Sequence, residues 1–475
     1  MPGGLTKDRR REVRVWIDVI KPVPMCPMNT TKNAFFPYLM ALLATCASGL
    51  PLVHSNSARG HAPLGYGPAR SHQTGSDKPA GDKRKFGDSL KHLKWDSSKG
   101  MAVDKRAPRD RKTREDPSTI KLTSTLVAAD VLVTGENGGI VTGLGKADFV
   151  VSEDGKSQQV AVFSSGDDRA IPRKVVLLID WSESESAYLA SSLTAALMLI
   201  DLLAPADQMA IVTSDVQLIC GFTSDKSKLK TALATLHSRA ARRGPVTWYP
   251  RGSTDYQGRS LQFTALFAIL RELIDSKDPR QVIIFQTDGD EAPTFRDQPD
   301  AADFTMNMPN RAWGLEDILS AARHSPATIY TVIPSDSLIG LSGQPLLDRV
   351  RLMLQESEKS RFKSEAEYQI YSQTHPLSDA KVKLFAKFFA AGQTAAAHVA
   401  EISGGTFSYL RRPEDAQSIY SSIGSDIGSR YTVGYYPDEA GNDGKLHHFK
   451  IEVRGHPEYV VHGRDSYYSP KSDQK

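Results

Sequence analysis

Two apolar runs that each end in an aspartate constrain this chain more than anything else in its sequence. Lys174-Val-Val-Leu-Leu-Ile-Asp180 and Val282-Ile-Ile-Phe-Gln-Thr-Asp288 are apolar at nearly every position rather than at alternate ones. A strand can carry that pattern only when both of its faces are buried, as in a parallel sheet covered on each side by helices. Met209-Ala-Ile-Val-Thr213 and Ile329-Tyr-Thr-Val-Ile333, the latter stopped by Pro334, read the same way, and Val216–Phe222 reads as an edge strand. Between them, Tyr188–Leu203 places Leu189, Leu193, Ala196, Leu199 and Leu203 on one helical stripe. Lys226–Leu236 and Leu261–Ile274 predict further helices. Strands alternating with helices at this spacing imply an α/β fold, a doubly wound and mostly parallel sheet.

In such a fold ligands bind beyond the carboxyl ends of the strands, where both aspartates stand. The first strand continues as Asp180-Trp-Ser182-Glu-Ser184, and the other ends Thr287-Asp288-Gly289. The loop Arg251-Gly-Ser-Thr254-Asp255 lies between them in the chain. These segments offer carboxylate and hydroxyl oxygens, the donors that hard cations such as Mg²⁺ prefer. Hydroxyl ligands are neutral, so an ion held partly by them stays electron-poor and can accept a carboxylate from a partner.

Asp-x-Ser-x-Ser at one strand end, a later Gly-x-Thr-like loop and Thr-Asp-Gly at another strand end resemble the metal-ion-dependent adhesion site of von Willebrand factor type A domains. The resemblance implies a type A, Rossmann-like domain over residues 167–412. It implies a divalent ion (Mg²⁺, with Mn²⁺ or Ca²⁺ as alternatives) held by Asp180, Ser182, Ser184, Thr254 and Asp288. Ser253 and Asp255 are alternatives to Thr254, because the loop reads Gly-Ser-Thr-Asp. Val141–Phe149, Glu153–Gln158, Ile402–Phe407, Arg430–Pro437 and Arg464–Tyr468 are similar to parts of the related proteins abundant in Acidobacteria. That wider likeness implies secretion and names no ligand.

The remaining segments flank this domain. Residues 1–58 are a signal-peptide region: Lys32, then a mostly apolar stretch from Ala34 to Ala47, then small residues at Ser55, Ser57 and Ala58. Met25 and Met28 are both candidate true starts. The segment implies export to the periplasm or cell surface, with retention as an anchor in the envelope membrane as an alternative. Residues 59–117 hold 15 Lys/Arg against 8 Asp/Glu with no apolar period, which predicts a disordered basic linker. Residues 118–166 alternate apolar and polar between Asn-Gly and Asp-Gly turns, a small antiparallel β module. Residues 338–395 are a charged helical insertion, carrying Leu346, Val350, Leu354, Phe385, Phe388 and Phe389. Residues 413–475 predict a helix and a β meander, which can complete a sandwich with the 118–166 module.

Several function classes are excluded. The net charge of +4 is too balanced for a dedicated nucleic-acid binder, so no nucleic-acid partner is expected. Three cysteines, Cys26, Cys46 and Cys220, cannot build a zinc finger or a disulfide scaffold. Gly143-Leu-Gly-Lys146 lacks the spacing of a phosphate loop. His447 and His448 are neighbours on one strand and face opposite sides, which argues against a shared metal. No hydrolase or zinc-protease motif is present, so the chain reads as a non-enzymatic, cation-dependent adhesion module whose protein partner supplies a carboxylate. A structural envelope protein with a vestigial site, or a metal-assisted hydrolase using Asp288 or Asp290 as base, are the alternatives.

Overall fold

A computed structural model describes residues 85–105, 126–166, 168, 172–182, 185–241, 261–275, 278, 280–298, 311–359, 362–437 and 443–469. In chain order the strands before the first long helix are β1 (Leu93–Asp96), β2 (Met101–Asp104), β3 (Val127–Thr134), β4 (Phe149–Glu153), β5 (Lys156–Gln158), β6 (Val160–Ser164) and β7 (Lys174–Ile179). There follow α1 (Ser186–Leu202), β8 (Gln208–Thr213), β9 (Gln217–Thr223), α2 (Lys226–Ala241), α3 (Gln262–Glu272), β10 (Gln281–Gln286), α4 (Leu315–His324) and β11 (Thr328–Ile333). The chain continues through α5 (Gly343–Lys359), α6 (Glu365–Thr374), α7 (Asp379–Ile402), β12 (Phe407–Tyr409) and α8 (Ala416–Ser429). The described chain closes with β13 (Tyr431–Tyr435), β14 (Leu446–Val453), β15 (Val460–His462) and β16 (Ser466–Tyr468).

The uniformly apolar strands form one mixed six-stranded sheet in the order β12-β11-β10-β7-β8-β9. All its pairs are parallel except β8–β9, so the strand with the weakest apolar run is the antiparallel edge. Both faces are buried. Val175, Leu177 and Ile179 point to the layer of α1, α2 and α8, while Val176 and Leu178 point to that of α3, α4 and α7. Cys220 is a buried thiol on β9. The register sets Phe285 of β10 opposite Leu178 of β7. The two chains therefore leave the sheet side by side, one at Asp180 and the other at Thr287-Asp288.

The flanking β segments are one unit drawn from both ends of the described chain. β15-β3-β13-β6 and β16-β14-β4-β5 are two four-stranded sheets. Their facing sides bury Val131, Val133, Phe149, Val151, Tyr431, Val433, Phe449 and Val453 in one core. The expected C-terminal meander is not what forms. β13 pairs with β3 and β6, and β14 with β4, all strands of the N-terminal segment; among the described residues only β14–β16 pairs two C-terminal strands. Arg430, 3% exposed, ties the two units together. It donates to Asp426 Oδ1 (2.8 Å), to the Gly404 carbonyl (2.8 Å) and to the Asp130 carbonyl (3.0 Å).

Two further expectations change. Part of the stretch expected to be a disordered linker is ordered. Residues 85–105 form a short 3-10 turn and the β1–β2 hairpin, with Leu90 and Leu93 buried against the α3 layer. Glu272 accepts the N–H groups of Gly87 (2.8 Å) and Ser89 (2.9 Å), and Asp317 accepts that of Ala102 (2.9 Å). Leu90 and Leu93, with Phe86 and Ala102 packed beside them, show no period among the lysines, yet they suffice when a preformed helical face receives them. The insertion is helical, as α5, α6 and the first half of α7. It builds its own small core from Leu338, Val350, Leu354, Val382, Phe385, Ala386 and Phe389. Among the described residues no helix is long and apolar enough to cross a membrane. The signal-peptide segment lies outside them.

Candidate metal centre

Asp180 follows directly on β7 and is fully buried. Its Oδ1 accepts the Ser182 N–H (2.9 Å) and the Ser214 hydroxyl (2.9 Å), which fixes the carboxylate's plane. Its Oδ2 is buried and has no hydrogen-bond partner. Asp288 stands two residues beyond β10. Its Oδ1 accepts Gln262 Nε2 (2.6 Å) and the Asp290 N–H (3.1 Å), while its Oδ2 is again buried and unpartnered. Gln262 organises this loop from the first turn of α3. Its Nε2 also donates to Asp290 Oδ1 (2.8 Å), and its Oε1 accepts the Gly289 N–H (3.1 Å) and the Thr287 hydroxyl.

Gly289 is where the loop needs glycine. It has φ +81°, and a Cβ there would lie 2.6 Å from the backbone of Gly392 in α7. The turn after Asp288 thus rests backbone to backbone on α7, the helix that closes the insertion. Glu291, also buried, accepts the Thr264 N–H (3.0 Å) and pairs with Arg311, which anchors the far side of the loop.

A third carboxylate joins them. Glu185 stands just ahead of α1 and is 1% exposed. One oxygen each from Asp180, Glu185 and Asp288 lie within 4.8 Å of one another. Gln286 Nε2 approaches Glu185 Oε2 at 3.4 Å, and Gln286 is itself held by the Tyr420 hydroxyl (3.0 Å). Burial, and then the charge of Asp288, push the Asp180 carboxyl up to about 7. Burial, then Asp288 and Asp180, and further Asp290, hold Glu185 well above the usual carboxylate range. These neighbouring charges have the sign of Glu185 itself. Like charges gathered out of water are unfavourable unless a cation or protons offset them.

Of the residues expected from the sequence, Asp180, Ser182 and Asp288 are described, and Asp180 and Asp288 converge. Ser182 is buried in the turn that binds Asp180. Ser184 and Thr254, with the alternatives Ser253 and Asp255, lie outside the described residues. Sequence reasoning missed Glu185, Ser214 and Gln262. Glu185 had a signal, since it continues the Ser-Glu-Ser-Glu run just before the apolar helix stripe. Gln262 had none, because a glutamine in the first turn of a helix usually faces water. The donor set is all oxygen, and two buried oxygens want a partner, so the residues fit a hard divalent cation.

A second group of suitable side chains lies in the sandwich, where Glu153, Asp154 and His447 come together. His447 Nδ1 meets Asp154 Oδ2 at 2.8 Å, and its Nε2 meets Asp443 Oδ1 at 3.2 Å. Tyr467 donates its hydroxyl to Glu153 Oε1 (2.5 Å).

The chain matches no protein-family model and no curated protein. Similar solved structures include the pilus adhesin SpaC from Lactobacillus rhamnosus GG in its open conformation, at 9% identity and a TM-score of 0.29. That match covers 68% of this chain and 48% of the adhesin, so the chain spans about half the adhesin's length. Manganese-loaded TRAP protein from Plasmodium vivax is similar at 14% identity, a TM-score of 0.26, and 67% and 98% coverage of this chain and that one. The vWF domain of the type V pili tip protein Mfa5 from Porphyromonas gingivalis is similar at 13% identity and a TM-score of 0.29, covering 54% of this chain and 95% of the domain. Scores this low carry no weight for fold or function.

Proposed function

We propose that this chain is a secreted, cation-dependent protein-binding module of the adhesion type, built on a doubly wound, type A-like domain. The observation that carries the reading is the convergence of the buried Asp180 and the half-buried Asp288, from neighbouring strand ends, each with one buried, unpartnered oxygen. Asp180 and Asp288 would hold Mg²⁺ (or Mn²⁺ or Ca²⁺) directly or through water. Ser182 would do so through its hydroxyl, with Ser184 and Thr254 completing the set. When bound, the ion supplies a Lewis-acidic position that a carboxylate of a protein partner can occupy. Around it the chain's own groups hold geometry: Ser214 and the Ser182 N–H orient Asp180, and Gln262 orients Asp288. Binding rather than turnover is the proposed role. The signal-like order of residues 29–58 supports a periplasmic or cell-surface location.

The test is capture of envelope proteins by the immobilised chain in Mg²⁺ and in chelator. The reading expects a retained protein that chelator releases and that Ser182→Ala with Asp288→Asn no longer retains, while circular dichroism stays native. Retention indifferent to chelator and to the double variant would overturn it.

A further inference from the structure

We infer that Glu185 is a third carboxylate ligand of the cation site, supplied by the N-terminal end of α1. The inference rests on the reading that Asp180 and Asp288 hold a divalent ion. The resemblance that suggested this site assigned no role to Glu185, and its place there comes from the geometry.

Three observations carry it. Glu185 is 1% exposed, and one of its oxygens lies within 4.8 Å of oxygens of both Asp180 and Asp288, the span that ligands of a single ion occupy. The unpartnered Asp180 Oδ2 belongs to a fully buried side chain, so this group is more than a surface patch of acids. Finally, the contact that Gln286 makes with Glu185, at 3.4 Å, is long for a hydrogen bond. A fully buried carboxylate beside two others is poorly compensated by one distant amide. A cation among the three compensates all of them at once.

The consequence is a matter of charge. Two carboxylates neutralise a divalent ion, whereas three leave the loaded site with one negative charge. Glu185 therefore strengthens the hold on the ion and makes the loaded site a weaker acceptor for any further carboxylate. It sets the balance between ion retention and acidic-partner binding, and affinity follows the count of charged ligands in such sites.

The experiment uses the full chain and Mn²⁺ alone, by isothermal titration and by water-proton relaxation. The wild type should bind one Mn²⁺. Glu185→Gln, nearly isosteric and relieved of a buried charge, should fold and bind Mn²⁺ about 10-fold or more weakly. Its bound ion should show higher relaxivity, because water takes the vacated position. Glu185→Asp, which keeps the charge but retracts it by one methylene, should also bind more weakly. Asp180→Asn serves as the control for the underlying site. If the wild type binds Mn²⁺, Asp180→Asn loses it, and Glu185→Gln matches the wild type in affinity and relaxivity, the role of Glu185 is overturned and the site stands. If neither the wild type nor any variant binds, the site itself is overturned.

Discussion

The two acidic groups found among the described residues look alike at first sight and have opposite electrostatics. In the sandwich, His447 lies between Asp154 and Asp443 and bonds both. Each carboxylate there has further donors: Asp154 takes the His448 N–H (3.1 Å) and Asp443 takes the Ser469 hydroxyl (2.6 Å). Burial lowers the His447 pKa, but the bonds to Asp154 and Asp443 outweigh it, and the net shift is upward. When protonated, His447 supplies this group with a cation of the chain's own, held by both carboxylates. At the end of β7 and β10 the chain supplies three carboxylates, and two of their oxygens are left without donors. Proximity of acids is common to both groups. Only the second has buried charge that the chain leaves uncompensated, and only that deficit points to an ion from outside.

The largest effect that separates them is on the pH dependence of the chelator-treated protein. Asp180 is raised from 3.8 to about 7, so the native state holds its proton more tightly than the unfolded chain does. Its contribution is fully present below about pH 4 and is lost as pH rises through about 7, an effect on the order of 4 kcal/mol by linkage. Urea denaturation of the wild type and Asp180→Asn across this range isolates it: the wild type should lose stability relative to the variant as pH rises. A constant difference would show that the site is not short of positive charge.

Next in size is Asp288→Asn, which should weaken Mn²⁺ binding about 100-fold, roughly 2.7 kcal/mol, by titration calorimetry. The variant should melt no lower than the wild type in chelator, since it removes a like charge. Ser182→Ala, which removes a neutral ligand on the proposed reading, should cost about 10-fold in the same assay. Smallest is His447→Gln. It should leave Mn²⁺ binding unchanged and destabilise the fold by about 1 kcal/mol at pH 5.5, the size of one partly screened charge-assisted bond. Because the His447 pKa is raised in the fold, its contribution is present below 6.5 and fades as pH rises through the folded value. The cost of His447→Gln should therefore shrink by pH 9. A variant that altered Mn²⁺ binding instead would erase the contrast between the two groups.

The two regions were also unequally legible in the sequence. Runs such as Val175–Ile179 and Val282–Phe285 are apolar on both faces, a pattern that leaves few alternatives to a helix-covered sheet, and Asp180 and Asp288 follow from it as strand-end residues. Long-range pairing was not legible. β13 and β14 look like successive strands of a meander, and only the cores they bury assign one to each sheet. The β1–β2 hairpin escaped because Leu90 and Leu93 gain their burial from α3 and not from a pattern of their own. Glu185 escaped for a related reason. A glutamate at the start of a helix ordinarily faces solvent near the positive end of the helix dipole, whereas Glu185 is buried beside Asp180 and Asp288, a tertiary placement that no local pattern shows.

The most direct measurement is the anomalous difference density of a Mn²⁺-soaked crystal. A single strong peak is expected at about 2.0–2.2 Å from oxygens of Asp180 and Asp288, with none between Glu153, Asp154 and His447. A peak at the histidine group alone, or no peak near Asp180, would contradict the proposed site.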